Sequence, residues 1–183
     1  MKIWGALRGA VAFAAFCLTS VGMNRNAHAG VVYIADQLEA DPTDWSLYFT
    51  VSSSLAFHYT NNAALARSGK GVTLLAGYIP GYSPSTWKGF QTSTPYSITA
   101  CGFSVYLKKY YSQTQQVRLT LVNTISNTYV AQTTVNVTSS SYTKFSLPNT
   151  YSCEPWLAVG IELISTGPTA GVLVDDVTVQ WSY

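Results

Sequence analysis

The feature that most restricts the fold is a two-residue alternation of apolar and polar side chains that recurs along the second half of the chain. In CGFSVYLKK, Cys101, Phe103, Val105 and Leu107 share one parity, while Gly102, Ser104, Tyr106 and Lys108 take the other. QVRLTLVN alternates Val117, Leu119 and Leu121 with Arg118 and Thr120. TYVAQTTVNVT puts Tyr129, Ala131, Thr133, Val135 and Val137 on one side. YTKFSL contributes Phe145 and Leu147, and WLAVGIELI contributes Leu157, Val159, Ile161 and Leu163. The closing GVLVDDVTVQW aligns Leu173, Val177, Val179 and Trp181. Successive side chains of a strand point to opposite faces, so this pattern encodes strands with one buried face. WSLYFTV and GVTLLAG are strand-like as well, and no stretch of about 12 residues carries a clean helical period. The connections NTISN, TSSS, LPNTYS and STGPTAG are short and rich in turn formers. Together these features predict an all-β chain, two antiparallel sheets packed as a sandwich or barrel. The one long irregular stretch expected is residues 77–95, GYIPGYSPSTWKGFQTSTP.

The first 29 residues stand apart. Lys2 and Arg8 precede and enter an apolar run, and NAHAG ends it with an A-x-A pattern at Ala27 and Ala29. This predicts a secretory signal peptide over 1–29 and export of a single domain over 30–183. The apolar run is short for a membrane span, and no later segment reaches the roughly 18 apolar residues that a span needs. Without Lys2, Arg8 and Arg25 the rest of the chain carries seven basic and eight acidic residues, a net charge of −1. No basic stripe exists to neutralise phosphates, which excludes a nucleic-acid partner. Cys17 leaves with the first segment, so Cys101 and Cys153 remain. An even count in an exported chain favours a disulfide, with two buried free thiols as the alternative.

Catalytic constellations are sparse. After residue 29 there is one histidine, His58, and no G-x-S-x-G elbow that would supply a serine nucleophile. Neither H-E-x-x-H nor a Cys/His cluster offers a zinc site. Glu154 and Glu162 are the spare carboxylates for glycoside hydrolysis, and neither has an evident partner acid. The chain therefore reads as a non-enzyme.

One ordered set of motifs is more specific. DQLEADPTDW places Glu39 ahead of Trp45; ARSGKGVTLL follows, then PYSITACGFSVYLKK, VRLTL, YTKFSL and finally VLVDDVTV. In this order they resemble the galactose-binding-like jelly-roll carbohydrate-binding modules, which open on N-x-x-F-E…W and close on a hydrophobic-D-D-V strand. Asp36, Gln37 and Leu38 depart from that opening pattern. The resemblance implies a jelly-roll β-sandwich that binds carbohydrate, with a structural Ca²⁺ where the first and last strands meet. The matching positions are Glu39 and the pair Asp175 and Asp176. Four acids within residues 36–44 and two more at the terminal pair concentrate like charge if the chain ends are neighbours, and such charge calls for a cation. Carbonyls near Ser68 and Gly69 could complete an oxygen shell. By parity Asp175 shares the face of Val177 and Val179 and points inward.

Sugar rings present flat C–H faces that aromatic side chains complement. The loop candidates for such contact are Tyr78, Tyr82 and Trp87, with Lys88 as donor; on outward strand faces they are Tyr106, Arg118, Gln132 and Asn136. Trp45, Phe103, Phe145 and Trp181 are expected to pack. A self-associating surface or matrix protein is the alternative, since Tyr and Trp also enrich protein interfaces. A small polysaccharide hydrolase or lyase is a more distant one. The resembling modules commonly accompany an enzyme, and no attached catalytic domain is apparent here.

Overall fold

A computed structural model describes residues 30–36, 56–59, 62–69, 71–77, 83–93 and 97–183. Among these residues there are ten strands and no helix: β1 (Val31–Asp36), β2 (Ala56–Tyr59), β3 (Val72–Ala76), β4 (Ser85–Gln91), β5 (Ala100–Lys109), β6 (Gln115–Asn123), β7 (Thr128–Val137), β8 (Thr143–Tyr151), β9 (Trp156–Leu163) and β10 (Gly171–Ser182). They form two antiparallel sheets. The larger has the order β2-β3-β10-β5-β8, with β1 also paired to β10; the smaller has the order β4-β9-β6-β7. The first and last strands are neighbours, as expected, from Val31 opposite Ser182 to Asp36 opposite Val177.

The alternation predicts the core well. Phe103, Val105 and Leu107 of β5 meet Leu119 and Leu121 of β6 and Val159 and Ile161 of β9, all at most 1% exposed. Each such side chain contributes about 1.5–3 kcal/mol through burial. Phe103 and Trp181 are buried and Phe145 packs against the core, whereas Trp45 lies outside the described residues. Cys101 and Cys153 form the disulfide and close a separation of 52 residues.

Three expectations need correction. Residues 77–95 are not irregular throughout, because Ser85–Gln91 forms β4 at the edge of the smaller sheet. Lys88 at an inward parity and Gly89 disguise its alternation; Thr86 and Phe90 supply the buried positions. LPNTYS is not a loop either, since β8 runs on through Pro148 to Tyr151. Proline is tolerated there because β8 is an edge strand.

The third correction concerns Asp175. The β10–β5 register shifts between Asp175, opposite Tyr106, and Thr178, opposite Ser104, and Asp176 takes a left-handed φ of 46°. This bulge reverses the parity of β10. Val172, Val174, Val177, Val179 and Trp181 therefore face the sandwich interior, while Leu173 and Asp175 face the other way. Around β3 and Leu173 that outer face is nevertheless buried. Leu65 and Ala66 cover Val72, Leu74, Ala76 and Leu173 with Tyr142, forming a second small core.

Candidate functional site

The two sheets present different chemistry on their outer faces. On the six-stranded sheet, the acid pair is bound by the segment 62–69. The Arg67 amide donates to Asp175 Oδ2 at 2.6 Å and the Ser68 amide to the same oxygen at 3.4 Å. Asp175 Oδ1 accepts the Asp176 amide at 2.7 Å. Asp176 accepts the Ser68 hydroxyl at 2.7 Å and pairs with the Arg67 guanidinium. That guanidinium also stacks over the Tyr106 ring, 3.6 Å from its centroid. Lys108 and Tyr142 both donate to the Leu65 carbonyl, at 3.2 and 2.8 Å. Asp175 is fully buried, and burial pushes its carboxyl up to about 6 while the Arg67 amide pulls the other way. The hydrogen bond to Asp176 raises the Arg67 guanidinium further, and burial raises the Tyr142 phenol.

These contacts decide how the acid pair meets a metal. Ca²⁺ takes six to eight oxygen lone pairs. Among the described residues the carboxylate oxygens accept N–H and O–H donors, and the charge that balances the pair is the Arg67 guanidinium. Glu39, the third expected ligand, lies outside the described residues, and among the described residues no group of three metal-ligating side chains occurs.

The four-stranded sheet carries a groove on its outer face, about 940 Å³ in volume. Its floor is one cross-strand row. Gly89 of β4 pairs with Ala158 of β9, Ala158 with Val122 of β6, and Val122 with Tyr129 of β7. Trp87 stands one pleat to one side of Gly89, and Trp156 with Gln91 one pleat to the other, each about 7 Å away along the strands. Trp87 lies over Gly160, where any side chain would collide with its indole ring. Thr124 and Asn127 close one end, in a turn where Asn127 adopts φ 53°, a conformation asparagine tolerates. Trp156 is 47% exposed and Tyr129 is 74% exposed. Beyond Trp87 the face turns polar: Arg118 donates to Glu162 at 2.9 Å, and Gln132 to Thr120 at 3.2 Å.

The expected ligand residues do not form one site. Trp87 and Lys88 line the groove, but from a strand and not a loop. Arg118, Gln132 and Asn136 share its sheet face. Tyr106 is on the opposite side of the sandwich, beneath Arg67, and cannot act with them. Tyr78 and Tyr82 lie outside the described residues. Trp156 and Tyr129 are the groove residues that sequence reasoning missed. For Trp156 the signal exists, because Leu157, Val159 and Ile161 facing inward put Trp156, Ala158, Gly160 and Glu162 outward. For Tyr129 it does not. The β6–β7 register shifts between Leu121, opposite Ala131, and Val122, opposite Tyr129, so a bulge turns Tyr129 away from the parity of Ala131.

No protein-family model matches the chain, and no curated protein matches it in sequence. Solved structures do match in shape. A Clostridium thermocellum endo-1,4-β-D-xylanase with CBM22-1 and GH10 modules, complexed with xylohexaose, superposes with TM-score 0.55 at 13% identity, over 81% of this chain and 28% of that one. The CBM22-1 xylan-binding domain from Paenibacillus barcinonensis gives 0.51 at 17% identity, over 81% and 92%. TmCBM27, a module solved for mannan recognition, gives 0.51 at 12% identity, over 85% and 99%. The fold is the jelly roll of carbohydrate-binding modules. Within this jelly roll, segment 62–69 covers the β3–β10 part of one outer face, and the other outer face bears an open aromatic groove. The spare carboxylates are both engaged: Glu162 with Arg118, and Glu154 accepting the amides of Ile125 and Ser126 at 3.1 and 3.3 Å.

Proposed function

We propose that the chain is an exported, non-catalytic domain that binds a polysaccharide in the groove of its four-stranded sheet. The observation that carries this reading is the convergence of Trp87, Trp156 and Tyr129 around a floor of Gly89, Ala158 and Val122. Three aromatic faces over small apolar residues suit the C–H faces of sugar rings, and Gln91, Thr124 and Asn127 supply hydrogen-bonding groups beside them. The engagement of Glu154 and Glu162 by Ile125, Ser126 and Arg118 supports binding without hydrolysis. Arg118 remains a candidate for polar contact, and Tyr78 and Tyr82 for contact from the segment that precedes β4; Lys88 has the inward parity of Phe90 and meets the groove through its backbone. Tyr106 belongs instead to the other face.

Xylan and mannan, the ligands of the structural neighbours, are the first polysaccharides to try, by affinity electrophoresis of the domain over 30–183. Binding that Trp156→Ala and Tyr129→Ala each weaken about tenfold or more, with melting temperatures unchanged, is the expected result. Binding indifferent to both substitutions rejects the groove. Export is part of the proposal: N-terminal sequencing of the protein recovered from culture medium should begin at Gly30.

A further inference from the structure

Four glycines lie inside the described strands: Gly89, Gly102, Gly160 and Gly171. Each costs about 0.5–1 kcal/mol relative to alanine, so each asks for a reason. Three have one within the chain. A Cβ on Gly102 would stand 2.6 Å from the carbonyl oxygens of Leu147 and Pro148, where the β5–β8 register is irregular. One on Gly160 would collide with the Trp87 indole, and one on Gly171 would stand 2.9 Å from the Tyr111 ring. Gly89 differs from all three. Among the described residues nothing lies within 4 Å of its Cβ position, and its φ is outside the left-handed region. Neither the backbone nor a neighbour requires glycine there.

Strand glycines often mark a bulge, a tight bend or a close approach of a ligand or another backbone; β4 pairs with β9 without a register shift at Gly89, which points to close approach. Gly89 shares the outward parity of Trp87 and Gln91 and lines the groove between Trp87 and Trp156. We propose that Gly89 is a specificity-determining floor position: one pyranose ring of the bound chain rests on its bare backbone. The polysaccharide then follows the row Gly89, Ala158, Val122, Tyr129 across the strands. Because β4 is the sheet edge, the far end of the chain leaves over Gly89 into solvent. The ligand class is therefore a polysaccharide longer than the groove, bound by a segment and not enclosed. This inference rests on the groove reading above.

The test is a graded series, Gly89→Ala, Gly89→Val and Gly89→Leu, compared with wild type and Trp156→Ala by affinity electrophoresis in xylan and in mannan. Thermal melts of every variant accompany it. Melting temperatures should stay level or rise, since there is room for each side chain. Binding should weaken with side-chain size, by about tenfold or more at leucine. If Trp156→Ala loses binding and Gly89→Leu binds like wild type, the Gly89 inference fails alone. If wild type retains neither polysaccharide, or Trp156→Ala binds as well as wild type, the groove reading fails and Gly89 with it. If only the leucine variant melts early, the alanine and valine variants decide.

Discussion

At the scale of residues, the adjacent acids of the last strand are a fastening. Asp175 turns into the second core because a bulge at Asp176 reverses the strand, and the amides of Arg67 and Ser68 meet it there. Asp176 stays half-buried and holds the Arg67 side chain. Truncating the two sides of this fastening should therefore have unequal costs. Asp175→Ala strands three amide donors, those of Arg67, Ser68 and Asp176, at about 2 kcal/mol. Arg67→Ala removes a mostly exposed ion pair and a stack on Tyr106, together worth about 1 kcal/mol. Urea denaturation of both variants checks the order. Since the arginine already supplies the compensating charge, the melting temperature should be the same in EDTA and in millimolar Ca²⁺; a drop in EDTA would show that a cation is part of the fold.

The titration of Asp175 has a definite sign. Its folded value, about 6, lies above the ordinary carboxylate value of about 3.9. The folded protein thus holds this proton more tightly than the unfolded chain does. Its contribution to stability is fully present below the unfolded value and is lost as pH rises through about 6. Asp175→Asn, which cannot titrate, should remove that component: the stability of wild type relative to the variant should decline between pH 4 and pH 7. A difference constant over that range contradicts the assignment.

At the scale of elements, the strands that alternate strictly are legible from sequence and those with a bulge are not. β5, β6 and β9 bury the parities their apolar residues announce. In β10 and β7 a single extra residue flips the pattern, which hides the direction of Asp175 in one and of Tyr129 in the other. β4 escapes notice for another reason. As an edge strand it tolerates Lys88 at an inward position and Gly89 at an outward one, so its alternation is broken where the groove lies. The site was half legible: Trp87 and Lys88 stand out as residues, but the strand that carries them and their partners Trp156 and Tyr129 do not. The disulfide, in contrast, is favoured by the cysteine count once Cys17 is set aside with the first segment. It ties the start of β5 to the segment before β9, and so one sheet to the other. Closing 52 residues constrains the unfolded chain by about 4 kcal/mol, so Cys153→Ala should lower the unfolding free energy measured in urea by about that amount without changing polysaccharide binding.

At the scale of the whole molecule, the two outer faces of the sandwich differ in chemistry. Segment 62–69, fastened through Asp175, Asp176, Lys108 and Tyr142, covers the β3–β10 part of the six-stranded sheet and makes a second small core there, while Tyr33 of β1 stays exposed. The four-stranded sheet is uncovered at Trp156 and Tyr129, and its small floor residues leave space above the backbone. A cluster of exposed aromatics around a groove is the kind of surface that marks an interaction site, and the proposal places a polysaccharide there. Self-association through these aromatics would cover them too, and the two readings separate in one experiment. Isothermal titration of the purified domain with xylan and mannan oligosaccharides, repeated for Trp156→Ala, measures the central claim most directly. Saturable binding by a monomer, weakened about tenfold or more in the variant, is the predicted result. Equal binding by wild type and variant, or aromatics buried in a dimer that takes up no sugar, would contradict it.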